Sequence, residues 1–179
     1  MSDMEPLDIL SAEDQLFTAF SLLESFIVNT GRKGACHDTS AIFYILASEL
    51  GFNPKLCIGE VREPSSGAYF DHSWVEIDGS IYDVAIAYPL PNGKKVSGPI
   101  FDSTDQETDE KTDIEFGIDT DSGLDEIAQE VSEISLSDYE TQTESGIWEI
   151  SAWIGQELGL VLDEFFLDIR YGSVMREKI

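Results

Sequence analysis

Asp71-His72-Ser73-Trp74-Val75-Glu76-Ile77-Asp78-Gly79-Ser80-Ile81-Tyr82-Asp83-Val84 reads as two strands folded back on each other. Tyr69 to Ile77 alternates as a strand does, Asp78-Gly79 is a favoured two-residue hairpin loop, and Ser80 to Ile86 is the expected return strand. With Asp78 and Gly79 as the central turn residues, Ile77 faces Ser80, His72 faces Ala85 and Asp83 faces Trp74. Asp83 then sits two positions from the residue opposite His72, on the same face, with backbones ~7–8 Å apart. A register slip of one residue would send the two side chains to opposite faces. An imidazole and a carboxylate so placed suit a base and the group that orients it.

Upstream, Gly34-Ala35-Cys36-His37-Asp38-Thr39-Ser40 opens a second helical pattern that runs to Leu50. Ala41, Ile42, Ile45, Leu46 and Leu50 make its apolar face, and Gly51 stops it. Cys36 therefore falls in or just before the first turn. A free thiol near pKa ~8.5 is mostly protonated at neutral pH, whereas the attacking species is the thiolate. Unpaired N–H groups at a helix start and a protonated imidazole both favour the thiolate, and the same N–H groups suit an oxyanion. The order Cys36, His72, Asp83 is that of nucleophile, base and orienting acid. His37 is expected to point elsewhere, at a surface or pocket rim, and Cys57 to be a buried strand residue.

The remaining chain supplies a scaffold. Ser11 caps a first helix whose Leu16, Phe17, Phe20, Leu23, Phe26 and Ile27 recur at helical spacing, ending at Asn29-Thr30-Gly31. Lys55 to Val61 is a strand, Glu63-Pro64-Ser65-Ser66-Gly67 a turn, and a short strand is expected near Val96. From Asp102 to Glu144 there are sixteen acidic residues and one basic one, Lys111. Residues 102–145 are therefore expected to be an acidic, mobile insert, with one short helix, inside a single domain spanning 1–179. Trp148, Trp153, Ile154, Leu158, Val161, Leu162, Phe165 and Phe166 give one long helix, or two broken near Gly159, packed on the sheet. Ser173 to Ile179 are expected to fray.

Charge narrows the partners. The formal net charge of −26 over 179 residues repels nucleic-acid backbones and anionic membranes, so neither is expected. A peptide or protein substrate fits better, and a cationic one best; oligomeric state is left open. Met1 to Pro6 lacks the basic and apolar regions of a signal peptide, and two cysteines make no disulfide framework, so a cytoplasmic location is expected. Asp119 to Glu130 departs from a calcium loop, with Gly123 one place early and Glu126 where an apolar residue belongs. Cys36, His37, Cys57 and His72 lack zinc spacing. No metal or cofactor is expected.

Taken together, Gly34-Ala35-Cys36, the helix ending in Leu50-Gly51, the strand Lys55-Leu56-Cys57-Ile58-Gly59, then His72-Ser73-Trp74-Val75-Glu76 and Tyr82-Asp83, resemble the transglutaminase-like superfamily. The match covers residues 30 to 90. It implies an α+β, papain-like fold with helices packed on a small antiparallel sheet and the nucleophile at a helix N-terminus. It also implies Cys36 as nucleophile, His72 as base and Asp83 as orienting acid. The expected activity is acyl transfer or hydrolysis at an amide, peptide or thioester through an acyl-Cys36 intermediate. The family's upstream oxyanion donor has no recognisable counterpart, and Asn29 is a candidate by chemistry alone. Two alternatives stand beside this reading: an arylamine N-acetyltransferase-like enzyme, and a non-catalytic acidic protein that binds a basic partner or mimics nucleic acid.

Overall fold

The computed structural model describes residues 10–179. Met1 to Pro6, where no signal peptide was expected, lie outside them. Helix α1 (Ala12–Thr30) starts at Ser11, whose hydroxyl accepts from the Asp14 N–H, and stops at Gly31. Helix α2 (Cys36–Glu49) is buried on almost every side from Thr39 to Ala47, the mark of a central helix rather than a surface one. Helices α1 and α5 (Ile147–Glu157) pack against it from one direction and the sheet from another.

That sheet is curled and mostly antiparallel. Strand β1 (Lys55–Arg62) pairs with β2 (Tyr69–Ile77), and β2 pairs with β3 (Ser80–Tyr82). Asp78 and Gly79 both have positive φ (50° and 83°), which turns the chain with the twist of the two strands. Ile77 faces Ser80 and Val75 faces Tyr82, the register read from the sequence. The return strand is shorter than expected. It leaves β2 after Tyr82; Asp83 instead exchanges backbone hydrogen bonds with Ile100 (2.8 and 2.9 Å), and Ala85–Ala87 form a 3₁₀ turn. Ala85 therefore does not face His72, nor Asp83 Trp74.

Two faces of the sheet hold two cores, as a period-two strand requires. Leu56, Ile58, Val75 and Ile77 join the helices, while Cys57, Val61, Phe70 and Trp74 pack with Ile86, Ile100 and Ile114 on the other side. Gly59 is needed where it stands: a Cβ there would lie 3.0 Å from the Ile179 carbonyl oxygen and 3.1 Å from the Trp74 ring.

Residues 102–145, expected to hold one short helix, hold two helices and two strands. After the small β4 (Ile100–Phe101) and β5 (Thr104–Asp105) hairpin, β6 (Glu115–Ile118) pairs with β1. Helices α3 (Glu126–Glu133) and α4 (Leu136–Thr143) then deliver Ala128, Val131, Leu136 and Tyr139 to the main core. Few apolar residues are present and Ile127 is exposed, but Ala128, Val131 and Leu136 are buried and give the segment a structural role. The expected strand near Val96 does not form. The Val96 N–H bonds to the Ala87 carbonyl (3.0 Å) within a loop.

Two expectations for the C-terminal region also change. Helices α5 and α6 (Glu164–Tyr171) are separate, broken around Gly159 as expected, yet α5 packs on α1, α2 and α6 rather than on the sheet. Ser173 to Ile179 do not fray: β7 (Glu177–Lys178) runs parallel to Cys57–Ile58 of β1, and Arg176 is buried. Among the described residues the architecture is mixed α+β, six helices about a curled sheet. Among the described residues, no helix is long and apolar enough to cross a membrane.

Candidate active site

Cys36 is the first residue of α2, and this helix start is open. Side chains of Ser11, Asp125, Ser135 and Asp163 cap α1, α3, α4 and α6, whereas Ala35, at the N-cap of α2, offers none. The first N–H groups of an α-helix have no intrahelical acceptor, so those of Cys36, His37 and Asp38 remain donors at the thiol. The helix start lies against β2 where β3 has already departed, with His37 Nδ1 2.7 Å from Ser73 Oγ.

His72 and Asp83 meet. The His72 Nε2 lies 2.6 Å from Asp83 Oδ2, and the other carboxylate oxygen, Oδ1, accepts from the Ile86 N–H at 3.0 Å. The Ala85–Ala87 turn thereby fixes the carboxylate. His72 is 0 % exposed, Asp83 4 % and Cys36 4 %, so all three are withdrawn from bulk water together. With Nε2 donating to Asp83, the lone pair of the neutral ring sits on Nδ1, a buried atom with no hydrogen-bond partner among the described residues.

Titration behaviour follows from this burial. For His72, burial works against protonation, but Asp83 and then Cys36 outweigh it and push the imidazole up to about 10. For Cys36, burial opposes ionisation, yet His37 and His72 together hold the thiol well below its ordinary value. Burial pushes the Asp83 carboxyl up, and His72 draws it back. The Cys36–His72 pair thus favours thiolate and imidazolium over thiol and imidazole. Cys57 is the contrast: burial, then Glu76 and Glu177, push its thiol up to about 12.

Several residues at the site were not expected there. His37, read as turned away, has its Nδ1 3.7 Å from the Cys36 Sγ as well as its bond to Ser73. Arg176, buried in the C-terminal segment, donates to the His37 carbonyl (2.8 Å) and lays its guanidinium 4.6 Å over the Tyr139 ring. Tyr139 in turn donates to Asp38, whose carboxylate is 3.7 Å from the Arg32 guanidinium. These groups tie the first turn of α2 to α4, to the C-terminal segment and to the loop before it. A buried arginine among the last residues carries no periodic signal that could have announced it. Asn29 is exposed in the last turn of α1, and among the described residues no hydrogen bond links it to Cys36. No group of three or more His, Cys, Asp or Glu side chains suited to a metal ion occurs among the described residues.

Comparison of the chain with protein-family models, with curated proteins and with solved structures gave no match.

Proposed function

We propose that this chain is a cysteine-nucleophile enzyme of the transglutaminase-like kind, on a papain-like arrangement of helix and sheet. It performs acyl transfer or hydrolysis at an amide, peptide or thioester. The observation that carries the reading is the buried Cys36–His72–Asp83 constellation at the uncapped start of α2, with the His72–Asp83 contact at 2.6 Å. A hydrogen bond in that position holds the ring in one tautomer and orientation.

The chemistry proceeds in two halves. The Cys36 thiolate adds to the acyl carbonyl carbon, and the carbonyl π electrons move onto oxygen, where N–H groups at the start of α2 stabilise them. Collapse expels the amine or thiol leaving group as His72 gives it a proton, leaving acyl-Cys36 and a neutral imidazole. Water or an amine then attacks the thioester while His72 takes its proton, and Cys36 leaves as thiolate. Asp83 keeps its charge throughout and offsets that of the imidazolium.

Iodoacetamide tests this directly. Cys36 should be carboxamidomethylated far faster than Cys57 at pH 6, with peptide mass spectrometry locating the adduct. His72→Ala should remove most of the difference. Slow, equal labelling of both thiols in the folded native protein would favour the non-catalytic acidic binding protein instead.

A further inference from the structure

One cavity touches the site without being part of it. It encloses about 200 Å³ between α1, the Arg32–Ala35 loop and residues 84–99. Two of its wall residues, Ala35 and Val84, directly precede Cys36 and follow Asp83 in the chain, so its wall lies one residue from each of them. Pockets for drug-sized ligands run to ~300–1,000 Å³. This one has room for a single long side chain.

Its lining is mainly apolar, Ile27 being typical, with Glu24, Glu107 and Arg32 as the charged members. Two of these are already engaged. Glu107 holds Lys95 at 2.5 and 2.6 Å, while the Arg32 guanidinium faces Asp38 at 3.7 Å and the Phe26 ring at 5.1 Å. Glu24 is in no ion pair among the described residues. Burial, and then Glu107, raise its carboxyl. A carboxylate on an apolar wall, beside another carboxylate, gains most from a cation brought in on an apolar stem.

We propose that this cavity receives the lysine or arginine side chain of a peptide acyl donor, with Glu24 as the residue that selects it. The proposal rests on the reading of Cys36 as nucleophile and adds the substrate class. The four-carbon lysine stem lies along the apolar wall, and its ammonium donates to Glu24. The carbonyl of the same residue then reaches the Sγ of Cys36.

Peptidyl chloromethyl ketones carrying lysine or norleucine at the reacting residue separate the charge from the stem. Thiolate attack on the methylene carbon forms the C–S bond and releases chloride, and mass spectrometry locates the adduct. The lysine reagent should alkylate Cys36 about tenfold faster than the norleucine one. Glu24→Gln should shrink that ratio towards one, and Glu24→Lys should turn it in favour of a glutamate reagent. Equal rates for lysine and norleucine with Cys36 alkylated would overturn the cavity proposal and leave the nucleophile standing. If neither reagent alkylates Cys36, the nucleophile reading fails, and the cavity is judged by binding. In Cys36→Ala protein, Nα-acetyl-lysine methylamide should shift the Ala35 and Val84 amide resonances and the norleucine analogue should not. Identical or absent shifts would overturn the cavity proposal by themselves.

Discussion

At the residue scale, the Cys36, His72 and Asp83 groups share charge, and pH reads how. The folded imidazole titrates at about 10, above the ~6.5 of an exposed histidine. Its stabilising contribution is complete below ~6.5 and is lost as pH rises through about 10. The Cys36 thiol is shifted the other way, so its contribution is complete above ~8.5 and is lost as pH falls through its depressed value. Between ~6.5 and ~8.5 the two nearly cancel, because folded and unfolded chains carry the same number of protons on the pair. Urea titrations should therefore give a level stability through that window and a decline above it. In Cys36→Ser protein the decline should begin near ~6.5. A separate expectation concerns Asp83→Asn, which keeps the side-chain shape and removes the charge that supports the imidazolium. Alkylation of Cys36 at pH 6 should fall about 10²-fold, the lower end for a positioned acid–base group.

Elements far apart in the chain hold the start of α2 in place. Arg176 approaches from the C-terminal segment and Tyr139 from α4, and the cation lies over the ring. Arg176→Ala removes a charge-assisted hydrogen bond to the His37 carbonyl along with the buried stem. It should cost about 1–3 kcal/mol in chemical denaturation and slow the alkylation of Cys36. The acidic segment behaves as structure as well. Asp125 N–H donates to Asp71 at 2.7 Å, next to His72, and Leu136 is fully buried. Leu136→Ala should cost about 2–5 kcal/mol. Deleting residues 102–144 should abolish the cooperative thermal transition followed by circular dichroism, because β1 would lose its β6 partner and the core its α3 and α4 contributions.

For the whole molecule, the −26 charge is a cost to compactness and a gain for capture of cations. Raising sodium chloride from 10 to 100 mM shortens the screening length from ~30 to ~10 Å. The thermal midpoint should rise over that range as self-repulsion weakens. The rate of encounter with a lysine-bearing peptide should fall over the same range, which stopped-flow measurements can follow.

Much of the scaffold was legible because it rests on local chemistry. Ser11 caps α1, Asp78-Gly79 sets the hairpin register from Ile77–Ser80 to Val75–Tyr82, and Cys36 opens α2. Each follows from a few neighbouring residues and the short-range geometry of the backbone. His72 and Asp83 are neighbours, yet not through the hairpin pairing expected for them: Asp83 reaches His72 from a segment that has already turned to Ile100. The two helices of the acidic segment were not both legible, since the composition is dominated by charge while the few residues that decide their place, Val131, Leu136 and Tyr139, are scattered. By itself, then, the sequence determined α1 and α2, the turn of the central hairpin and the order Cys36, His72, Asp83, all products of local patterning. Only the tertiary structure decided that His37 and Arg176 stand near the start of α2, that this start is uncapped, and that Glu24, Ala35 and Val84 line one cavity. Those depend on contacts between distant segments, which form when apolar faces are buried together and which no local pattern records.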